Sequence, residues 1–364
     1  MSAMLKASAA LRMSAALRTS AGLLAGLALC LALAGCARHS RQRHQAHAIG
    51  SFDTVTMLVG YAESRGDFNR YAGIVFAKLE TLHKLYDIFN AYDGINNLHT
   101  INASAGIEPV EVAREIIDML LAAREAYGLT RGRTNAAMGS VLGIWHEHRM
   151  RALAHPESAA LPSMAALRDA AAQTNMKDLV IDGGSGAVFL RERGMSLDVG
   201  SVAKGFAAGL AMAAAEEAGL RSALLSVGGH VVASGAPPGR ESWTVGIRNS
   251  QEILGTVDTI SLVNATVSIS GAYQRFYEVD GRRFGHVIDP DTLMPADLYR
   301  QVAVVHPQSW MADALSTALF IMPREEGKAL AAATGAEAFW IDMDGGKFAT
   351  PGYARISAYF DMEG

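Results

Sequence analysis

Cysteine is nearly absent from this 364-residue chain, which has two, Cys30 and Cys36. Acidic residues are missing from the first 52 positions, where Lys6, Arg12 and Arg18 precede an apolar run over residues 21–34, AGLLAGLALCLALA. Fourteen apolar residues fall short of the roughly 20 that a spanning helix needs. A basic leader followed by a short apolar run reads instead as a secretory signal peptide, so Cys30 is removed with it and no disulfide can form within the mature chain. An exported protein of this kind depends on its core, or on bound ligand and metal, for stability. A basic excess is lacking too. The whole chain has 32 Lys and Arg against 36 Asp and Glu, and loss of the leader leaves 29 against 36, a balance of about −7. Nothing in that balance points to nucleic acid. No internal repeat is visible, and the spacing G-x-x-x-x-G-K-[ST] does not occur, which argues against ordinary NTPase chemistry.

Half of the residues are apolar, enough for a proper core. The leader ends in Leu33-Ala34-Gly35-Cys36, which resembles a bacterial lipobox and implies cleavage before a lipidated Cys36. Residues 1–35 are therefore read as a lipoprotein signal peptide, 36–50 as a polar tether, and 51–364 as one large domain on the extracytoplasmic face of a membrane. Strand-like runs at 52–62, 222–235, 242–249, 256–270 and 275–290 interleave with helical periodicity at 68–89, 113–127 and 202–220, and in a helix around Asp313. Residues 178–200 read as a hairpin. The lack of a regular βαβ period favours an α+β fold of antiparallel sheets with packed helices.

Three glycine-flanked polar clusters stand out: LDVGSVAKG (197–205), SVGGH (226–230) and SGAYQRF…FGHVIDPDTLMP (270–295). Glycines such as Gly228, Gly229 and Gly271 after strand-like runs let backbone amides approach a phosphate, and Lys204 at a helix start adds a cation to the positive end of the dipole. In MADALSTALF, Asp313 and Thr317 lie four apart, so a helix points both into one volume. The competing reading makes Asp313 a helix cap and Thr317 a back-bonding hydroxyl.

SLDVGSVAKGFAAGL, SISGAYQRFY, HVIDPDTLMP and ADALSTALF, in that order, resemble the motifs of the ApbE family, flavin transferases that move FMN from FAD to a protein hydroxyl. The resemblance spans residues 52 to about 341. It implies a single catalytic domain of the ApbE type, FAD as substrate, and Mg²⁺ held by Asp313, Thr317 and the main chain at Ser201. It further implies nucleotide contacts at Tyr92, Asn102, Met138, Gly139, Ser140, Gly228, Gly229, Ser270, Gly271 and Asp289, and a chemical role for Asp198, Lys204 and His286. The acceptor would be a flavoprotein, such as a subunit of a membrane redox complex, that offers a Thr or Ser hydroxyl and receives FMN as AMP leaves. Two alternatives are an Mg²⁺-dependent FAD pyrophosphatase giving FMN and AMP, and a flavin-binding lipoprotein without catalysis. His146, His148, His155 and His306 match no motif and read as surface or core residues. Departures from the family pattern are Phe52-Asp53-Thr54 for Met-Gly-Thr, Gly200-Ser201 for Gly-Gly, Ala272 for Asp and Leu293 for Gly.

Overall fold

A computed structural model describes residues 41–249, 255–271 and 275–361; the signal peptide, Cys36 and Ala272 lie outside these. Contacts divide the chain after Gln42 into a leading unit and a body, Arg43–Gly364, that carries the fold. Strands β1 (Gln42–Ile49) and β2 (Val55–Ala62) lead into helix α1 (Arg65–Tyr86), which starts where the Ser64 hydroxyl accepts the Asp67 N–H. Next come α2 (Leu98–Ala103), β3 (Val110–Glu111), α3 (Arg114–Leu129), α4 (Gly139–Ala154) and α5 (Met164–Ala171). Strands β4 (Leu179–Asp182) and β5 (Ala187–Leu190) pair antiparallel, as expected for residues 178–200, and β3 joins them. Helix α6 (Ala203–Glu217) precedes β6 (Ala223–Val227), β7 (His230–Ser234), the hairpin of β8 (Trp243–Arg248) and β9 (Thr256–Leu262), and β10 (Ala265–Gly271). A small hairpin, β11 (Phe276–Val279) with β12 (Arg282–Gly285), is followed by β13 (Tyr299–His306), α7 (Ser309–Ile321) and α8 (Arg324–Thr334). The chain closes with β14 (Glu337–Asp342), β15 (Lys347–Ala349) and two short helices.

The α+β expectation holds. The main sheet has eight strands in the order β1-β2-β6-β7-β10-β13-β14-β15. Strand β13 lies inside it, and its two faces go to different cores. Val302 and Val304 pack with Met311, Leu315 and Leu319 of α7, while Ala303 and Val305 pack with Trp243, Ile247 and Ile260 of the β8–β9 hairpin. Burying a valine contributes about 1.5–3 kcal/mol, so an apolar run without polar alternation is what a strand covered on both sides requires. Its neighbour β10 pairs Ser268 with Val304 and Ser270 with Val302. The same period of two therefore carries the two serine hydroxyls to the α7 side, beneath the helix that bears Asp313.

The tether expectation is corrected over Gln42–Ile49, which forms the edge strand β1. His44, Ala46 and Ala48 alternate with exposed residues, and the His44 ring stacks on Phe68 at 5.4 Å. That alternation is the signal of a half-buried strand, carried by small and polar residues instead of large apolar ones.

Three of the departing residues fall on strained backbone, Phe52 at φ +57° and two more that replace glycine. Asp53 has φ +52° and Leu293 φ +61°, each standing where the family pattern has glycine. A non-glycine residue in this left-handed region costs about 1–2 kcal/mol. Leu293 recovers this through its side chain, buried with Trp145, Tyr277 and Phe284, and its carbonyl accepts the Trp145 indole N–H at 3.0 Å.

Candidate active site

A cleft of about 540 Å³ opens beside the N-terminus of α6, the middle of α7, the end of β10 and the segment after β12. Asp313 sits in the second turn of α7, and the N-cap position of that helix is Gln308, whose side chain makes no capping bond. Only 4 % of Asp313 is exposed. Its Oδ2 accepts the backbone N–H of Gly205 at 2.8 Å. Gly205 lies in the first turn of α6, whose own N-cap, Val202, contributes no side-chain bond. The capping reading of Asp313 is thus half right: it caps a neighbouring helix, satisfying a donor that helix geometry leaves free and meeting the positive end of the dipole. The other oxygen, Oδ1, accepts from the Ser268 hydroxyl at 3.1 Å and lies 3.7 Å from the Lys204 ammonium. Thr317, one turn further along, lines the same cleft, as do Ser201 and Ser270.

His230 completes this cluster and was not foreseen as part of it. Ser309 donates its hydroxyl hydrogen to the Gly205 carbonyl at 2.7 Å, so in its 2.8 Å contact with His230 Nε2 the imidazole is the donor. Nδ1 is left as a buried lone pair without a hydrogen-bond partner among the described residues, 3.8 Å from Asp313 Oδ1. Burial pushes this imidazole down to about 4, outweighing the opposite pull of Asp313, and keeps it neutral. The His230–Ser309–Gly205 chain ties β7 to the starts of α7 and α6, the two helices that present Asp313 and Lys204.

Across the cleft stand Asp198, His286, His146, Arg149 and Arg275. Asp198 Oδ1 accepts the Gly200 N–H at 2.9 Å, yet crowding by protein pushes its carboxyl up. One face of His286 is open to the cleft. The protein packed around its other side, together with the cations Arg275, Arg149 and Lys204, pushes its imidazole down to about 4. Arg149 donates to His146 Nδ1 at 3.0 Å, and burial and the repulsion of Arg275 lower its pKa. Among the described residues neither Arg149 nor Arg275 has a carboxylate within ion-pair distance. The motif-free His146 is therefore a cleft residue, and His148, bonded to the Ala160 carbonyl, is not.

Several predicted contacts lie elsewhere. Tyr92 is not among the residues that line the cleft, and its hydroxyl donates to Oδ2 of Asp87, which is. Phe89, three residues earlier, does line the cleft: it is 58 % exposed and packs on the His146 ring at 5.0 Å. Asn102 exchanges two hydrogen bonds with the Leu197 backbone, at 2.7 and 3.0 Å, and so holds the segment that carries Asp198 without entering the cleft. Of Met138, Gly139 and Ser140, only Met138 lines it; Gly139 packs on Ser196, and Ser140 bonds to the Ala170 carbonyl. Gly228 and Gly271 line it, whereas Gly229 does not. Asp289 also acts at one remove, accepting from Arg133, a lining residue, at 3.0 Å.

Among the described residues no three His, Cys, Asp or Glu side chains gather into a metal cage. One carboxylate with hydroxyl and carbonyl oxygens still fits Mg²⁺, which needs few protein ligands because it keeps waters and takes phosphate oxygens. A carboxylate, an ammonium and a helix N-terminus converging in one cleft define a site of the phosphate-handling class.

The comparisons with known proteins agree with this class. The ApbE family model matches residues 52–340, and the chain belongs to the ApbE family. The FAD:protein FMN transferase of Treponema pallidum is 32 % identical over 317 residues, covering 81 % of this chain and 83 % of that protein. The crystal structure of the ApbE protein of Thermotoga maritima superimposes with a TM-score of 0.77 at 23 % identity, over 86 % of this chain and 99 % of that one. The apo form of the Pseudomonas stutzeri flavinyl transferase ApbE gives 0.72 at 23 % identity, over 87 % and 97 %.

Proposed function

We propose that this chain transfers the FMN half of FAD to a Thr or Ser hydroxyl of an acceptor flavoprotein. The observation that carries this reading is the meeting of Asp313, Lys204 and the α6 N-terminus beside Thr317 in one cleft. The names of the relatives support it. The acceptor oxygen attacks the FMN-side phosphorus, the bond to the bridging oxygen breaks, AMP leaves with that oxygen, and the hydroxyl proton passes to His286 or Asp198. Lys204 and the amides at the start of α6 face the phosphate charge. Asp313, Thr317 and the main chain at Ser201 would hold Mg²⁺, whose chemistry here is neutralisation of the pyrophosphate. Incubating the mature domain with FAD, Mg²⁺ and an acceptor flavoprotein tests the reading: the acceptor gains the mass of FMN as AMP appears. Release of FMN and AMP with no gain in acceptor mass makes the chain a pyrophosphatase instead.

Phe89, an exposed aromatic that lines the cleft where Tyr92 does not, supports a reading in which it stacks on the flavin or adenine ring. A stacked aromatic contributes about 0.5–1.5 kcal/mol beyond its area and touches no reacting bond. Phe89→Ala is expected to raise KM for FAD several-fold with kcat nearly unchanged, and Tyr92→Phe to leave both alone. Steady-state kinetics with FAD varied separate the two variants.

The proton acceptor has a pH signature. An imidazole pushed down to about 4 stays neutral, and able to accept a proton, at every pH above that value. Were His286 the base, kcat/KM for transfer should stay flat as pH falls through 6.5 and decline only toward 4, and His286→Asn should lose that limb together with most of the rate. A limb retained in the variant assigns the proton to Asp198.

The lipobox supports a lipid anchor at Cys36 on the extracytoplasmic face, and among the described residues no helix is long and apolar enough to cross a membrane. Cys36→Ala should no longer sediment with membranes while its transfer rate is unchanged. Continued sedimentation of the variant with its leader removed as in the unaltered protein would exclude the anchor.

A further inference from the structure

A second cavity, of about 550 Å³, abuts the catalytic cleft and shares three wall residues with it, Arg149, Arg275 and Tyr277. Its outer wall carries Met150, 51 % exposed, and Leu153, 59 % exposed, from the last turns of α4, with Phe276 of β11 across from them. Exposed apolar side chains around a concavity mark a binding surface more than isolated ones do. At the junction stand two guanidinium groups with no carboxylate partner among the described residues. Glu278, the one acid on the wall, is already paired with Arg283 at 2.9 Å. The cleft alone has the size of an ordinary small-molecule site, about 300–1,000 Å³, so the second cavity is space beyond the nucleotide.

Resting on the transferase reading, we infer that this second cavity receives the acceptor protein: an extended segment whose apolar side chain lies on Met150 and Leu153 and whose carboxylate meets Arg149 and Arg275, so that the neighbouring hydroxyl enters the catalytic cleft. Charge complementarity selects the segment. Two guanidiniums with no carboxylate at ion-pair distance among the described residues, and with Asp198 acting on them only from further off, favour an acid and repel a lysine, and fork-shaped donors of this kind match a carboxylate in two-point contact. Continuity with the cleft gives the groove its purpose, because a hydroxyl on a folded protein needs a channel that admits chain as well as side chain. The contact is one of substrate selection, so it acts on acceptor KM and leaves nucleotide binding alone.

The test uses three threonine peptides that differ only in their flanks: Leu and Glu, Leu and Lys, or Ala on both sides. The unaltered enzyme is expected to flavinylate the Leu/Glu peptide with kcat/KM about tenfold above the Ala peptide, and the Lys peptide least. Met150→Glu with Leu153→Glu, both at exposed positions that line the second cavity alone, should raise KM for the Leu/Glu peptide at least tenfold. The dissociation constant for FAD, read from flavin fluorescence, should stay within twofold. Restoring apolar character with Met150→Leu and Leu153→Ile should restore KM. Equal use of the three peptides, or an unchanged peptide KM in the double variant, overturns the groove while leaving the transferase reading in place. A tenfold loss of FAD affinity in the double variant also overturns it, since nucleotide would then fill the cavity. An enzyme that yields neither AMP nor flavinylated peptide from FAD overturns the transferase reading itself, and the groove with it.

Discussion

Asp313→Asn is expected to leave a folded protein whose flavin transfer is reduced by at least about 10³. The amide oxygen that replaces Oδ2 can still accept the Gly205 N–H, so the bond from α7 to the first turn of α6 survives. What goes is the negative charge that lies 3.7 Å from the Lys204 ammonium and is the one anionic group among the residues assigned to Mg²⁺. Loss of one such electrostatic element typically costs about 10²–10³ in rate, and weakened metal binding adds to it. Asp313→Ala separates the two duties of the residue. It removes the charge and also strands the buried Gly205 N–H, at about 1–3 kcal/mol for an unsatisfied group, while the Ser268 hydroxyl loses one partner and keeps its 3.3 Å contact with Ser316. Its melting temperature should therefore fall where that of the Asn variant does not. Thr317→Val should be milder than either, because a water can occupy the position of a lost neutral oxygen. Melting curves, Mg²⁺ titration of the free protein and acceptor mass, measured side by side, check all three variants. A fully active Asn variant would reduce Asp313 to a cap for α6.

How much of this was legible in the sequence depends on what each residue's environment had to say beyond its neighbours along the chain. Asp313 and Thr317 were legible because helical spacing alone puts them on one face. Their partners were not: Gly205 and Ser268 reach Asp313 from 108 and 45 residues away, through helix packing and strand register that no local pattern records. Tyr92 and Phe89 lie three residues apart in one irregular segment, and nothing in its sequence tells which of them lines the cleft; the Tyr92 hydroxyl is held by the Asp87 carboxylate, and Phe89 is the one that lines the cleft. Strand β13 gave no alternation because both of its faces are covered, and a short apolar run is ambiguous between strand and buried helix. Helix α4 escaped notice for the opposite reason. Gly139-Ser140 opens it without a capping side chain and His146 and Arg149 interrupt its apolar stripe, yet those two side chains are what the cleft uses. The strain at Asp53 and Leu293 was foreshadowed, since both stand where the family pattern has glycine.

Gly205→Ala should be nearly as damaging as loss of the Asp313 charge, although it adds one methyl group. In an ordinary helix interior, alanine is favoured over glycine by about 0.8–1 kcal/mol. Here a Cβ at position 205 would lie 2.6 Å from Asp313 Cβ, 2.6 Å from the Ser309 carbonyl oxygen and 3.0 Å from Trp310 Cα. Two of those atoms are backbone and the third is the first atom of a buried side chain, so no rotamer change can make room. Helices α6 and α7 must move apart instead. Overpacking of this kind costs about 1–3 kcal/mol, which reverses the sign of the usual glycine-to-alanine gain. The same movement lengthens the Gly205 N–H bond to Asp313 and carries the carboxylate away from Lys204, and a displacement of about 1 Å in a catalytic group can cost on the order of 10²-fold. The control is Gly209→Ala, one turn further along the same helix. Its Cβ would meet only Ser309, with Cβ at 3.1 Å and Oγ at 3.7 Å, a crowding of a few tenths of an ångström against the near-ångström overlap at Gly205. Gly209→Ala should keep its activity and melt within a few degrees of the unaltered protein, whereas Gly205→Ala should melt lower and lose about 10² in kcat at saturating FAD. Calorimetry and transfer kinetics on the pair decide it: a stable, active Gly205→Ala protein would show that the two helices do not need this contact to set the site.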